Sequence, residues 1–159
     1  MKFLSGFLLF ILSLTTAFAN DEVTTIKENT TEISNNSYGP ARPDLSGMRL
    51  MGLTGPAIYV VSPEGYLQLI PNPNVYHALF RNWDNITHTD VNLLAMGPSL
   101  SDTAQLVKKV GAADVYLLSN GMKRPITEAG FNKYNFAWDQ IVTYPQSFID
   151  MWPTGPLWQ

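Results

Sequence analysis

The chain has 159 residues, a net charge of −3 at neutral pH, two histidines and no cysteine. Disulfide staples, thiolate metal sites and a cysteine nucleophile are therefore excluded. The mildly acidic balance has no basic run beyond Lys108-Lys109 or Lys123-Arg124, which argues against nucleic acid as a partner.

The chain opens with Met1-Lys2 and an apolar run from Phe3 to about Leu14. Ala17-Phe18-Ala19 follows with signal-peptidase spacing. Residues 1–19 are read as a secretory signal, with the mature chain starting near Asn20. The apolar run is short for a membrane span, and an uncleaved anchor is the alternative. The expectation is a secreted, periplasmic or cell-surface protein with no stable membrane insertion after cleavage. Export without cysteine leans toward a bacterial route.

Residues 20–46 are rich in Asp, Glu, Thr, Asn and Ser and are expected to form a disordered or extended leader. Tyr38-Gly39-Pro40-Ala41-Arg42-Pro43 closes it with loop residues. Residues 47–100 then carry β-branched and aromatic runs. Ile58 to Val61 predicts a strand, Ser62-Pro63-Glu64-Gly65 a turn, and residues 66–70 a return strand. Asn72 reads as the cap of a helix over residues 74–80, with Pro73 in its first turn. Trp83 and Ile86 are placed in a loop or short strand.

Residues 101–159 repeat this order. Leu106-Val107 leads in, Val115 to Leu118 predicts a strand, and Asn120-Gly121 signals a tight hairpin. Residues 122–126 form the return strand, expected at a sheet edge because Pro125 cannot donate to a ladder. Thr127 caps a short helix from Glu128, and another helix is expected over residues 146–151.

The two stretches match residue by residue. Ile58-Tyr59-Val60-Val61-Ser62 returns as Val115-Tyr116-Leu117-Leu118-Ser119. Trp83-Asp84-Asn85-Ile86 returns as Trp138-Asp139-Gln140-Ile141, and Gly97-Pro98 as Gly155-Pro156. A period of roughly 55 to 58 residues predicts a duplicated supersecondary unit. The expected fold is α+β, two homologous β-hairpin-plus-short-helix repeats packed together, because one copy buries too little apolar surface alone.

Residues 115–126, with Phe131, Trp138 and Gly155-Pro156, resemble a short repeat found in tandem in secreted bacterial proteins. There it accompanies cell-wall or carbohydrate-acting domains. The resemblance spans roughly residues 49–158 and implies a small hairpin-plus-helix module in an exported protein. The first copy departs from it, with Tyr66-Leu67-Gln68-Leu69 where the second has Met122-Lys123-Arg124-Pro125.

Enzyme chemistry finds little support. His77 and His88 have no metal-site spacing, and no nucleophile elbow or phosphate loop is present. Asp84 and Asp139 recur, but an aspartate between tryptophan and a small polar residue reads as a turn cap. No catalytic, cofactor or metal residue is assigned. Trp83 and Trp138 are expected in the core, since each copy must bury the same face. The unrepeated Trp152 and Trp158, with Tyr144, are the candidate ligand-binding aromatics. Lys123-Arg124 is read as edge protection or as a contact for an anionic polymer. The expected function is a non-enzymatic binding module for carbohydrate or cell-envelope polymer. The alternative is a protein–protein subunit, an inhibitor or adhesin accessory, offering the sheet edge at Pro125.

Overall fold

A computed structural model describes residues 39–159. The expected signal segment and most of the leader lie outside the described residues. The first sheet comprises β1 (Arg49–Gly52), β2 (Ile58–Val61), β3 (Leu67–Leu69) and β4 (Ile86–Thr89), with helix α1 (Pro73–Leu79) between β3 and β4. The second comprises β5 (Gln105–Lys109), β6 (Val115–Ser119), β7 (Met122–Ile126) and β8 (Val142–Tyr144). Helix α2 (Glu128–Lys133) precedes β8 and α3 (Gln146–Asp150) follows it. The architecture is α+β. No helix of the described residues is long and apolar enough to cross a membrane.

Both sheets have four strands in the same order, β3-β2-β1-β4 and β7-β6-β5-β8. In each, three strands run antiparallel and the fourth returns parallel to the first. Arg49 pairs with Ile86 in one sheet and Val107 with Val142 in the other. Local chemistry sets the hairpins. Asn120 and Gly121 both take positive φ, 53° and 70°, which suits a two-residue turn. Asn72 accepts from the Val75 amide at 3.0 Å to start α1, and Thr127 accepts from Gly130 at 2.9 Å to start α2.

The last strand of each sheet is where the expectations fall short. Ile86 of β4 is read from the sequence only as loop or short strand, and residues 142–144 of β8 receive no element. Both are short and lack hairpin punctuation. They form because the first strand of each sheet has an unpaired side that only a long-range partner can fill.

Each sheet also receives a strap that the sequence does not announce. Leu67 donates to the Ala95 carbonyl at 2.9 Å, and Gly97 donates back to Leu67 at 2.8 Å. The other sheet repeats this, with Lys123 donating to Pro153 at 2.9 Å and Gly155 donating to Lys123 at 2.8 Å. The recurrent Gly-Pro pairs therefore sit in segments that close the β3 and β7 edges. β7 is the outer strand of its sheet, as Pro125 leads one to expect, but that edge is not open to strand addition, because the Trp158 amide donates to the Pro125 carbonyl at 2.8 Å.

One apolar cluster draws on both sheets: Val60, Ile70, Tyr76 and Leu79 meet Leu106, Leu117, Phe131, Phe136 and Trp158. Main-chain bonds cross the same seam, from Arg81 to the Asn135 carbonyl (3.1 Å) and from Ala137 to the Leu79 carbonyl (2.9 Å). The outer faces carry smaller clusters, around Leu50, Val61 and Leu94 on one sheet and Val107, Leu118 and Ile149 on the other. Leu45 packs against the first of these, and the Arg42 amide donates to Gly65. The fold thus takes in residues 42–46, which the sequence assigns to the leader.

Candidate ligand-binding site

Helix α1 presents Tyr76 to the core. Its cap and Pro73 start the helix at a fixed point, so the ring's position follows from the chain. Trp83, in the loop after α1, lies flat on that ring, centroid to centroid 3.8 Å at 11°. His77 meets the indole edge-on at 5.3 Å. The second unit builds the same pair from Phe131 of α2 and Trp138, 3.8 Å apart at 25°.

The expectation that both tryptophans are core is corrected. Trp83 is 44% exposed and Trp138 48% exposed. In each pair the inner aromatic ring fills the core and the indole covers it from outside. One indole face is packed and the other is open.

Beside Trp83 lies a cleft of about 590 Å³ between β1, β2, the end of β3 and the start of α1. Met51, Ile58, Ile70 and Pro71 line it, with Pro56 and Pro73 at its walls and Tyr76 and Trp83 closing one side. Asn72 is its main polar group besides the two aromatics, and its amide oxygen is already engaged by the helix cap.

The three aromatics expected to bind ligand do not form one group. Trp158 is 1% exposed and packs against Tyr134 (4.5 Å) and Phe136 (5.9 Å). Its expected exposure is corrected: the strap ends by inserting this indole into the shared core. Tyr144 and Trp152 do come together, through Phe148. Tyr144 stacks on Phe148 at 4.2 Å, and Phe148 meets Trp152 edge-on at 6.1 Å. Both flank the outer face of the second sheet, half-buried, and Trp152 Nε1 is buried there with no hydrogen-bond partner.

Lys123 and Arg124 are committed within the fold. Lys123 Nζ donates to the Ile149 carbonyl at 2.9 Å, anchoring α3. Arg124 is buried and donates to the Ser119 carbonyl at 2.9 Å, and that burial lowers its pKa. Asp150 is held below the usual carboxylate range, first by its hydrogen bond with Lys109. Asp84 and Asp139 are both exposed. Among the described residues no cluster of three His, Asp or Glu side chains is placed to hold a metal ion.

Sequence reasoning missed Tyr76 and Phe131 as partners of the tryptophans. The signal was available, since each aromatic precedes its tryptophan by the same spacing in the two stretches. It also missed Arg49, which is buried under Tyr76 and donates to its hydroxyl at 2.5 Å. Comparison with known proteins finds no matching family model, no matching curated protein and no matching solved structure.

Proposed function

We propose that the chain is an exported, non-enzymatic binding module whose two sheets are copies of one hairpin-plus-helix unit. It takes a ring of a glycan or cell-envelope polymer on the open face of Trp83. The observation that carries this reading is the flat Trp83–Tyr76 stack beside the 590 Å³ cleft. An indole fixed from behind loses little freedom when a ligand ring settles on its front, so binding there costs little ordering entropy. Pyranose rings present a C–H face that suits such a surface. The duplication rests on the common strand order, the paired strap bonds and the two indole stacks.

The test is tryptophan fluorescence of the mature protein titrated with soluble glycans and wall fragments. A saturable shift is expected, weakened at least about tenfold in Trp83→Ala. Trp158→Ala is the control for packing: it lowers the urea midpoint, with a cost of about 3–5 kcal/mol. Titrations that stay flat with every glycan sink the carbohydrate form.

A protein partner is the second reading, favoured by the proline walls and the scarcity of free polar groups in the cleft. An apolar side chain of the partner would then fill it. Envelope pull-down separates the two, because a protein retained by the native chain and lost with Trp83→Ala supports this reading. The covered β3 and β7 edges disfavour strand addition as the mode.

A further inference from the structure

At the seam between the sheets lies a second cavity, of about 460 Å³, and its lining is polar. Arg49, Asn85, Thr87, Asn132, Lys133 and Asn135 border it. Arg49 is 3% exposed. Its Nη1 donates to the Tyr76 hydroxyl at 2.5 Å and the Asn82 carbonyl at 2.6 Å. Nη2 donates to the Asp84 carbonyl at 2.6 Å. The Asn135 amide oxygen faces the guanidinium, 2.9 Å from Nη2 and 3.3 Å from Nη1, the only orientation that suits these donors.

Every one of these acceptors is neutral. No ion pair forms with Arg49 or Arg81 among the described residues. Arg81 donates instead to the Phe136 carbonyl and to Asn132, which fixes the Asn132 side chain at the cavity wall. Lys133 Nζ meets the Gln159 backbone oxygen at 3.1 Å. A guanidinium taken out of water without a counter-charge is costly, even with its hydrogen bonds made.

The fold does not require that charge. Arg49 pairs with Val60 in the first sheet, and the corresponding residue of the second, opposite Leu117, is Leu106. Leu106 is fully buried in the shared core. A leucine thus fills one version of this position, and the arginine in the other needs a different explanation.

We infer that the seam cavity binds a single oxyanion, a carboxylate or a sulfate. Arg49 supplies the positive potential from its buried side, and Lys133, Asn85 and Thr87 supply donors at its wall. Neither Asn85 nor Thr87 makes a side-chain hydrogen bond among the described residues, and both are exposed. The site takes the charge of a ligand rather than a ring face, and it stands whether or not Trp83 binds a sugar.

The probe is sodium sulfate, followed by calorimetry and thermal melting of the full mature chain, with sodium chloride at matched ionic strength as reference. Sulfate is expected to bind and to raise the melting midpoint beyond chloride. Arg49→Leu, which copies the other sheet, is expected to weaken sulfate binding at least about tenfold. Lys133→Gln should weaken it about threefold or more and decides the matter if Arg49→Leu does not fold. Sulfate and glycans are titrated separately on the native chain, so that failure here and failure of the glycan reading are separable. Equal effects of sulfate and chloride overturn the inference, as does full sulfate affinity in Lys133→Gln together with any folded Arg49→Leu. Displacement of sulfate by glucuronate more strongly than by acetate assigns the oxyanion to an acidic sugar, and equal displacement assigns it to a free anion.

Discussion

Tyr134 illustrates how a single side chain ties the seam to pH. Its ring is fully buried, and its hydroxyl meets the Ser46 hydroxyl at 2.6 Å. Burial pushes its pKa up to about 12 from the ordinary 10.0, because a phenolate cannot be solvated there. The folded chain therefore holds this proton more tightly than the unfolded chain does. Its contribution is intact below pH 10 and is lost as the pH climbs toward 12, a fall of roughly 2–3 kcal/mol. Tyr76 shifts in the same direction, chiefly through desolvation. Urea midpoints should drop across that window, and Tyr134→Phe should flatten the drop in part. A midpoint that stays level above pH 10 in the native chain would contradict the burial argument.

The tryptophans mark the limit of what single residues disclose. Recurrence identifies Trp83 and Trp138 as structurally equivalent, yet burial depends on what lies outside them, and nothing in the local sequence states that. Trp158 fails in the opposite sense. Proline and glycine around it read as surface, but a strap is by nature an extended segment laid on a sheet edge. Its terminal side chain drops into the core because the seam leaves room for it.

At the scale of elements, α2 and its strap give a prediction whose sign is informative. Gly130 lies inside the helix, where glycine-to-alanine normally stabilises by about 0.5–1 kcal/mol. Here a Cβ would stand 2.4 Å from the Trp158 carbonyl oxygen and 2.9 Å from the Gln159 Cα. These are backbone atoms and cannot swing aside. Gly130→Ala should therefore destabilise by roughly 1–3 kcal/mol, measured by urea unfolding. An increase in stability would mean that the strap does not hold against α2 in solution.

The hairpins and both helix starts are legible in the sequence because each depends on neighbours a few residues apart. Asn120-Gly121 needs only a turn, and Asn72 and Thr127 need only the amides three residues on. β4 and β8 gain their definition from β1 and β5, far back in the chain, and their own residues carry little signal. The cleft beside Trp83 is illegible for the same reason. Its walls come from three strands and a helix, and only the topology brings Pro56 and Pro73 to one opening.

For the whole molecule, the seam decides how the two sheets hold together. Phe80 and Phe136 face each other across it, 5.5 Å between centroids, flanked by the two main-chain bonds. Separating the sheets would strand these amides and expose aromatic faces that together contribute several kcal/mol. A fragment spanning residues 101–159 should therefore lack native circular dichroism on its own, and the full chain should unfold in a single urea transition. Two separated transitions would show that each sheet stands alone.

The parallel pairing of β1 with β4, and of β5 with β8, bears on the order in which the chain can assemble. A hairpin zips from its turn, but a parallel partner arrives only after the intervening strands and helix have been laid down. Neither sheet is closed until its last strand has docked, so local contacts alone do not carry either sheet to completion. Loop closure of this kind slows the search and places refolding in the millisecond-to-second range rather than the microsecond range of helical bundles. During synthesis the first sheet has to wait for Ile86–Thr89 to become available, and the second for Val142–Tyr144.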